Sequence, residues 1–234
     1  MVVKVFVLGL PGSGKSAAIR HLDTLARDCQ WVVDCINDYD ILYEMFEADS
    51  EGLLFKSTDY GGFDVIDLTA FDIALQKVER RITRLERQWV SIKNNRKKIV
   101  FIEFARNDYC QALKQFTAPF LKDAFFIFVK ATIPVCKHRV QERVKRRQNE
   151  EDHDNHFVSD YIFETYYNQD IGENRILELN EAVDFRRVPY IIREECIQVV
   201  NNALETSFEG LQHHLQSVWT RVIQYNESKV SVGK

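Results

Sequence analysis

Short apolar runs alternate with amphipathic stretches along almost the whole chain. Residues 2–8 are β-branched or aromatic and lead directly into Gly9, which predicts a buried strand that enters a glycine-rich turn. Further apolar runs predict four more strands, at 31–36, 98–104, 124–131 and 188–192. Helical periodicity predicts helices at 15–27, 41–46, 71–92, 109–116, 134–148, 158–167 and 195–225. This alternation indicates an α/β fold, in which helices cover both faces of a parallel sheet.

The longest helical pattern runs from 71 to 92. Its apolar positions recur at alternating spacings of four and three, and they are Phe71, Leu75, Val78, Ile82, Leu85, Trp89 and Ile92. The opposite face is charged. Such a stripe covers the core of a domain, or it forms the coiled-coil seam of a homodimer, for which three heptads are marginal evidence.

Composition narrows the class of protein. The chain has 234 residues, of which 45% are hydrophobic, and this suits one sizeable domain. Its 31 basic and 35 acidic residues give a net charge of −4, so no overall field attracts nucleic acid or an anionic membrane. No apolar run approaches the roughly 20 residues of a membrane span, and the N-terminus lacks a signal-peptide layout. We therefore expect a cytoplasmic protein without nucleic-acid or membrane partners.

The turn after the first predicted strand carries the sequence GLPGSGKS. It fits G-x-x-x-x-G-K-[S/T] at every fixed position, and a predicted helix follows it. Inward-facing backbone N–H groups and the helix N-terminus can hold a triphosphate, while Lys15 reaches the β- and γ-phosphates and Ser16 ligates magnesium. The predicted nucleotide-binding residues are Gly9, Pro11, Gly12, Ser13, Gly14, Lys15, Ser16 and Ala17.

The phosphate motif is shared by GTPases, ATP-driven motors and small-molecule kinases. The chain lacks an Asn-Lys-x-Asp segment for guanine, and its third predicted strand lacks the Asp-x-x-Gly turn of GTPase switches. With its motif at residues 9–16, the region 2–167 resembles the P-loop nucleoside and nucleotide kinase superfamily. The resemblance implies a five-stranded parallel sheet in the order 2-3-1-4-5, with ATP and Mg²⁺ as ligands.

Two acidic residues follow the second predicted strand. In the kinases that this chain resembles, a carboxylate at the position of Asp38 accepts or orients the proton of an acceptor hydroxyl. Asp40, two residues later, is the alternative candidate. Asp38 could equally cap the helix that follows, or do both.

The third predicted strand ends in Glu103-Phe104-Ala105-Arg106. This segment resembles the Asp-Gly-Phe-Pro-Arg turn of adenylate-kinase-like enzymes and the Glu-Arg-Ser turn of deoxynucleoside kinases, and it matches neither completely. A buried carboxylate needs a cation or a donor, so Glu103 is assigned to the magnesium shell, to Lys15 or to Arg106. Arg106 is expected to bind an acceptor or transferring phosphate, and a structural salt bridge is the alternative for both residues.

The helix predicted from Pro134 is strongly basic, with Arg139, Arg143, Arg146 and Arg147 on one side. In the resembled family the corresponding helix belongs to a lid that closes over the phosphates, which implies catalytic roles for Arg139 and Arg143. A solvated basic face is the alternative. The expected organisation is a kinase-like domain at 1–194 with a lid at about 134–168, a helical extension at 195–225 and a loose tail at 226–234.

Two other groups of residues could form sites. Phe55 to Phe63, with Tyr39, Tyr43 and Tyr60, could line the pocket of the acceptor or pack in the core. His153 and His156 lie among acidic residues, which suits an exposed loop as well as a metal cluster.

The sequence thus predicts a kinase that moves the γ-phosphoryl group of ATP to a nucleoside, a nucleotide or a similar polar metabolite. A toxin-type kinase acting on a nucleotide sugar would use the same chemistry. The alternative from another class is a regulatory P-loop protein that binds nucleotide and acts through protein partners.

Overall fold

The computed structural model describes residues 2–58, 62–91, 96–122, 124–147, 158, 162–167, 196–202 and 208–232. The strands in these ranges are β1 Val2–Leu8, β2 Val32–Asn37, β3 Phe55–Ser57, β4 Phe63–Val65, β5 Lys98–Phe104, β6 Ala124–Lys130 and β7 Ile197–Asn201. The α-helices are α1 Lys15–Asp28, α2 Asp38–Ala48, α3 Thr69–Ser91, α4 Tyr109–Leu113, α5 Ala118–Leu121, α6 Ile133–Arg147 and α7 Phe208–Val232. A π-helix spans Phe163–Tyr167.

A parallel five-stranded sheet in the order β2-β5-β1-β6-β7 forms the centre of the fold. When the hairpin strands β3 and β4 are left out of the numbering, this order is 2-3-1-4-5. The predicted α/β fold class is confirmed. Because the strands are parallel, the carboxyl ends of β2, β5 and β1 meet at one edge, where the residues after each strand come together.

Two apolar cores cover the two faces of the sheet. One contains residues of α2, α3, α4, α5 and the β3-β4 hairpin, and the other is formed with α1 and α7. The stripe predicted on α3 belongs to the first core, where Leu75, Val78 and Ile82 are fully buried. A homodimer seam along this stripe is therefore wrong, because its central residues already pack inside the chain.

Three predicted elements differ from the observed ones. Strands Phe55–Ser57 and Phe63–Val65 pair antiparallel, in a region where the sequence pattern predicted no strand. The edge strand is Ile197–Asn201, whereas the predicted strand at 188–192 lies outside the described residues. The last helix begins at Phe208 instead of 195 and continues to Val232, and Asn226 on it is buried.

The described helices include none with both the length and the apolar character needed to cross a bilayer.

Candidate active site

The turn between β1 and α1, residues 9–16, is called the phosphate cradle below. Gly12 and Gly14 adopt φ angles of 81° and 104°, a left-handed conformation that glycine adopts without strain. A Cβ atom on Gly12 would collide with the carbonyl oxygen of Cys136 in α6, and one on Gly14 would collide with the Asn202 side chain. The cradle therefore needs glycine both for its curvature and for the close packing behind it.

Side chains from other elements hold the cradle in shape. The Tyr109 hydroxyl accepts a hydrogen bond from the backbone N–H of Gly9 at 2.7 Å, and burial raises the pKa of this tyrosine well above its usual value. The Asn202 side-chain amide, after β7, donates to the carbonyl oxygen of Ser13 at 2.6 Å. The loop is thus fixed in advance, which lowers the cost of arranging its dipoles around a ligand.

The inner side of the cradle has features that fit a polyphosphate. Ser13 is fully buried, and its hydroxyl has no hydrogen-bond partner among the described residues. Lys15 is also buried, and its ammonium donates to the carbonyl oxygen of Leu10 at 3.1 Å. Burial lowers the pKa of Lys15, and attraction to the carboxylates of Glu103 and Asp38 opposes only part of that effect. Such a group is suited to a bound anion, which would restore its charge.

Glu103 lies at the end of β5 and faces the first turn of α1. Its Oε1 accepts a hydrogen bond from the Ser16 hydroxyl at 3.1 Å and lies 3.9 Å from the Lys15 ammonium. A hydroxyl beside a carboxylate is a pair of hard oxygen donors, which Mg²⁺ prefers and which also accommodates retained water. Of the three partners predicted for Glu103, Lys15 lies beside it and Arg106 pairs with Asp38 instead, while the magnesium role stays a prediction.

Arg106 forms an ion pair with Asp38 across the ends of β5 and β2. Nη1 of Arg106 lies 2.5 Å from Oδ2 of Asp38, and the two residues are only 3% and 7% exposed. The guanidinium also donates to the carbonyl oxygens of Ala105 and Phe71 and lies 4.5 Å from the centre of the Phe71 ring. Burial opposes the charge of Arg106 most strongly, but Asp38, Tyr166 and Tyr167 together outweigh it, and the pKa of the arginine is raised.

The carboxylates after β2 have separate roles. Asn37 caps α2, because its side chain accepts a hydrogen bond from the backbone N–H of Asp40 at 2.8 Å. Capping by Asp38 is therefore wrong, since Asp38 is the first helical residue. Asp38 is buried beside Arg106 and lines the cavity, whereas Asp40 is exposed.

A single cavity extends from the cradle to the Asp38–Arg106 pair. Its cradle end is lined by Pro11, Gly12, Gly14, Lys15, Ser16, Glu103 and Arg143. Its other end is lined by Asn37, Asp38, Tyr39, Leu42, Phe63, Asp64, Val65, Phe71, Phe104, Ala105, Arg106, Val140, Val158, Ile162 and Tyr167. The space suits a polar molecule held between flat apolar walls, next to a phosphate chain.

The basic helix α6 places its two predicted catalytic arginines differently. Arg143 lines the cavity, and its positive charge contributes to the lowered pKa of Lys15. Arg139 is absent from the lining, and its guanidinium makes 3.4 Å hydrogen bonds to the carbonyl oxygens of Gly12, Ser13 and Asn202. The contacts of Arg139 hold the cradle near the end of β7, whereas the catalytic role predicted for Arg143 stays a prediction.

The predicted aromatic pocket is divided between core and cavity. Phe55 is buried in the core, while Phe63 and Tyr39 stack at 5.5 Å and line the cavity. Tyr43 is 41% exposed, and Tyr60 lies outside the described residues. The histidines at 153 and 156 also lie outside them, and within the described ranges no three His, Cys, Asp or Glu residues form a metal-binding group.

No protein-family model and no curated protein matches the sequence. The APS kinase CysC of Mycobacterium tuberculosis, solved with AMPPNP and APS, is similar with a TM-score of 0.52 and 14% identity, over 94% of this chain and 96% of that one. The chain shares the α/β fold of this structure.

Two other solved structures have lower TM-scores. Shikimate kinase from Acinetobacter baumannii, in complex with shikimate, has a TM-score of 0.45 and 12% identity over 96% of this chain and 94% of that one. Kti12 from Chaetomium thermophilum, in complex with ADP-AlF3, has a TM-score of 0.46 and 15% identity over 94% and 98%. At such identities the likeness concerns the fold, and the reaction has to be argued from the side chains of the site.

Sequence reasoning missed three residues of the site. Tyr109 and Asn202 support the cradle from distant positions, and Asp64 lines the cavity from the hairpin. Local patterns do not mark the first two, because their contacts span about a hundred residues or more. Asp64 follows a glycine-rich stretch, and the short hairpin that positions it gave no recognisable strand pattern.

Proposed function

We propose that this chain is a small-molecule kinase, which binds ATP with Mg²⁺ in the phosphate cradle and transfers the γ-phosphoryl group to a hydroxyl of a polar acceptor. The observation that carries the proposal is the continuous cavity from Lys15 to the buried Asp38–Arg106 pair. Lys15 and Asp38 line the same cavity, which supports the idea that both act in one reaction.

The cradle end has the residues that a triphosphate requires. Backbone N–H groups of the glycine turn, the N-terminus of α1 and the Lys15 ammonium hold the phosphates. Ser16 and Glu103 would hold Mg²⁺, which neutralises charge on the β- and γ-oxygens when it is bound. Arg143 is positioned to bind the transferring phosphoryl group, where charge is spread over three oxygens in the transition state.

The chemistry at the acceptor end needs an oriented hydroxyl. That hydroxyl donates a hydrogen bond to Asp38, and its oxygen forms a bond to the γ-phosphorus as the bond to the bridging oxygen breaks. The electron pair of the broken bond leaves with ADP, and the hydroxyl proton passes to the Asp38 carboxylate. Arg106 fixes the orientation of this carboxylate through its 2.5 Å contact.

The test is acceptor-dependent release of ADP. Purified protein is mixed with labelled ATP, Mg²⁺ and a panel of nucleosides, nucleoside monophosphates, sugars, amino alcohols and nucleotide sugars. We expect phosphorylation of a subset of the panel, and no turnover or weak triphosphate binding with Lys15→Ala. ADP release at the same rate with and without every acceptor would contradict the proposal and favour a regulatory nucleotide-binding protein.

A further inference from the structure

The hydroxyl of Tyr109 lies between the two halves of the candidate active site. Its oxygen accepts a hydrogen bond from the backbone N–H of Gly9 at 2.7 Å and another from the backbone N–H of Arg106 at 3.3 Å. Gly9 is the first residue of the phosphate cradle. Arg106 belongs to the turn after β5, residues 105–108, which is called the acceptor turn below. One oxygen atom is therefore hydrogen bonded to the backbone of both segments.

The hydrogen-bonded ladder between β1 and β5 ends beside this hydroxyl. The two strands are parallel neighbours, and the last pair in their register is Leu8 with Phe104. Backbone N–H groups beyond the end of a ladder need acceptors from elsewhere, because a buried N–H without a partner costs free energy. Tyr109 supplies one acceptor to both chains at the point where they leave the sheet.

The position of the Tyr109 oxygen is fixed by packing. The residue is only 2% exposed, and its ring lies 5.8 Å from the ring of Phe104 and 5.6 Å from that of Phe128. Asp108 caps the helix that begins at Tyr109, because its side chain accepts a hydrogen bond from the backbone N–H of Gln111. A hydroxyl on a buried, packed ring is a rigid support, whose place does not depend on a ligand.

Tyr109 has no direct part in the chemistry. It is not among the described residues that line the cavity. Burial raises the pKa of its hydroxyl, and the hydrogen bonds from Arg106 and Gly9 lower it by less. The hydroxyl therefore keeps its proton near neutral pH, and any effect of Tyr109 on the reaction passes through the two backbone segments that it joins.

We infer that Tyr109 is a positioning residue for phosphoryl transfer, and that its hydroxyl sets the distance between the phosphate cradle and the Asp38–Arg106 pair. The inference rests on the proposed kinase activity and adds a residue to its machinery. In-line transfer requires the donor phosphate and the acceptor hydroxyl to lie close together and in line, and a displacement of about 1 Å can lower a rate about 100-fold.

Each half of the site keeps other supports when this hydroxyl is removed. The Asn202 side chain still donates to the carbonyl oxygen of Ser13 in the cradle. The guanidinium of Arg106 still donates to the carbonyl oxygen of Phe71. Neither of these contacts joins the cradle to the acceptor turn. Loss of the hydroxyl should therefore disturb the relation between the two halves more than the binding of nucleotide to either of them.

The experiment uses Tyr109→Phe, which keeps the packed ring and removes only the oxygen. At a temperature well below unfolding, kcat should fall about ten- to hundredfold, while the affinity for ATP with Mg²⁺, measured by calorimetry, should stay within about threefold. Tyr225→Phe is the matched control. Tyr225 is half-buried against Phe125 in the core that contains residues of α1 and α7, and its loss should change neither value.

Hydrogen exchange tests the link without any need for turnover. In ligand-free Tyr109→Phe, the backbone amides of Gly9 and Arg106 should both exchange about tenfold faster or more, because both lose the same acceptor. The amide of Ser13, which donates to the carbonyl oxygen of Leu10 at 3.0 Å, should keep its rate. If the variant does not fold, wild-type protein with AMPPNP and Mg²⁺ replaces it, and bound nucleotide should slow exchange at Gly9 and Arg106 together.

The outcomes separate the role of Tyr109 from the proposed activity. A kcat equal to that of Tyr225→Phe, an ATP affinity that falls as much as kcat, or a change of exchange at Gly9 without one at Arg106 would overturn the positioning role and leave the kinase activity intact. Binding of ATP by the wild type without phosphorylation of any acceptor would overturn the kinase activity, and the positioning role with it.

Discussion

Replacement of Asp38 by asparagine separates the structural and chemical roles of the acceptor carboxylate. The variant keeps the size of the side chain and a carbonyl oxygen for Arg106, but it leaves the buried guanidinium without a counter-charge. Breaking a buried ion pair costs about 3–5 kcal/mol. We expect a loss near the lower value, because Arg106 keeps its hydrogen bonds to the carbonyl oxygens of Phe71 and Ala105.

Thermal unfolding and kinetics measure the two roles of Asp38 independently. For a chain of this length, 1 kcal/mol corresponds to about 2–4 °C in Tm, so Asp38→Asn should lower Tm by about 6–12 °C. At a temperature well below both transitions, turnover should fall by about 10²–10⁴-fold, which is the usual contribution of a positioned proton acceptor. The affinity for ATP with Mg²⁺, measured by calorimetry, should stay within about threefold.

Asp40→Asn is the matched control for this experiment, because Asp40 is exposed two residues later on the same helix. It should change neither Tm nor turnover appreciably. The reasoning is refuted if Asp38→Asn reduces ATP affinity as much as turnover, since Asp38 would then be structural. Loss of turnover in Asp40→Asn, with normal activity in Asp38→Asn, would instead show that Asp40 and not Asp38 accepts the proton.

Two further predictions concern the cradle. Gly12→Ala should abolish triphosphate binding, because the new Cβ collides with the Cys136 carbonyl oxygen. Calorimetry measures the binding, and circular dichroism checks that the variant remains folded. Measurable affinity for the triphosphate would contradict the prediction and show that α6 can move away. Lys15→Met should stabilise the ligand-free protein, because burial lowers the pKa of Lys15 below 10.5 and the charged form is disfavoured. The unfolded state then binds more protons than the folded state, so the stability of the wild type should rise relative to that of the variant as pH increases towards 10.5. Urea unfolding at several pH values measures the free energy of unfolding of both proteins. Parallel dependence of the two free energies on pH would contradict the prediction.

The cradle could be predicted from the sequence because all its ligand-facing groups lie in one short segment. The glycines, Lys15 and Ser16 lie within the eight residues 9–16, and the strand and helix on either side have strong local patterns. The α/β alternation likewise predicted the main sheet. For Glu103, burial at the end of a strand correctly restricted the partners to cations or donors, and the structure then selected Ser16 and Lys15.

The edge strand could not be located from its pattern. Within the described residues, Ile197–Asn201 pairs only with β6, and the strand includes Gln198 and an exposed Asn201. An edge strand needs fewer apolar residues than a central one, because one of its sides remains open. The run at 188–192 has the more regular apolar pattern, so local reasoning chose that segment.

The acceptor end was beyond sequence reasoning for a different physical reason. Asp38, Asp64, Phe71 and Arg106 come from four separate elements, and only the folded sheet and hairpin bring them to one cavity. The sequence allows a structural salt bridge at Arg106. It does not identify the carboxylate of that bridge, because sequence distance carries no information about which carboxylate meets Arg106. The Asp38–Arg106 ion pair changes the electrostatics of the cavity, because a paired Arg106 adds no net positive charge to the acceptor end.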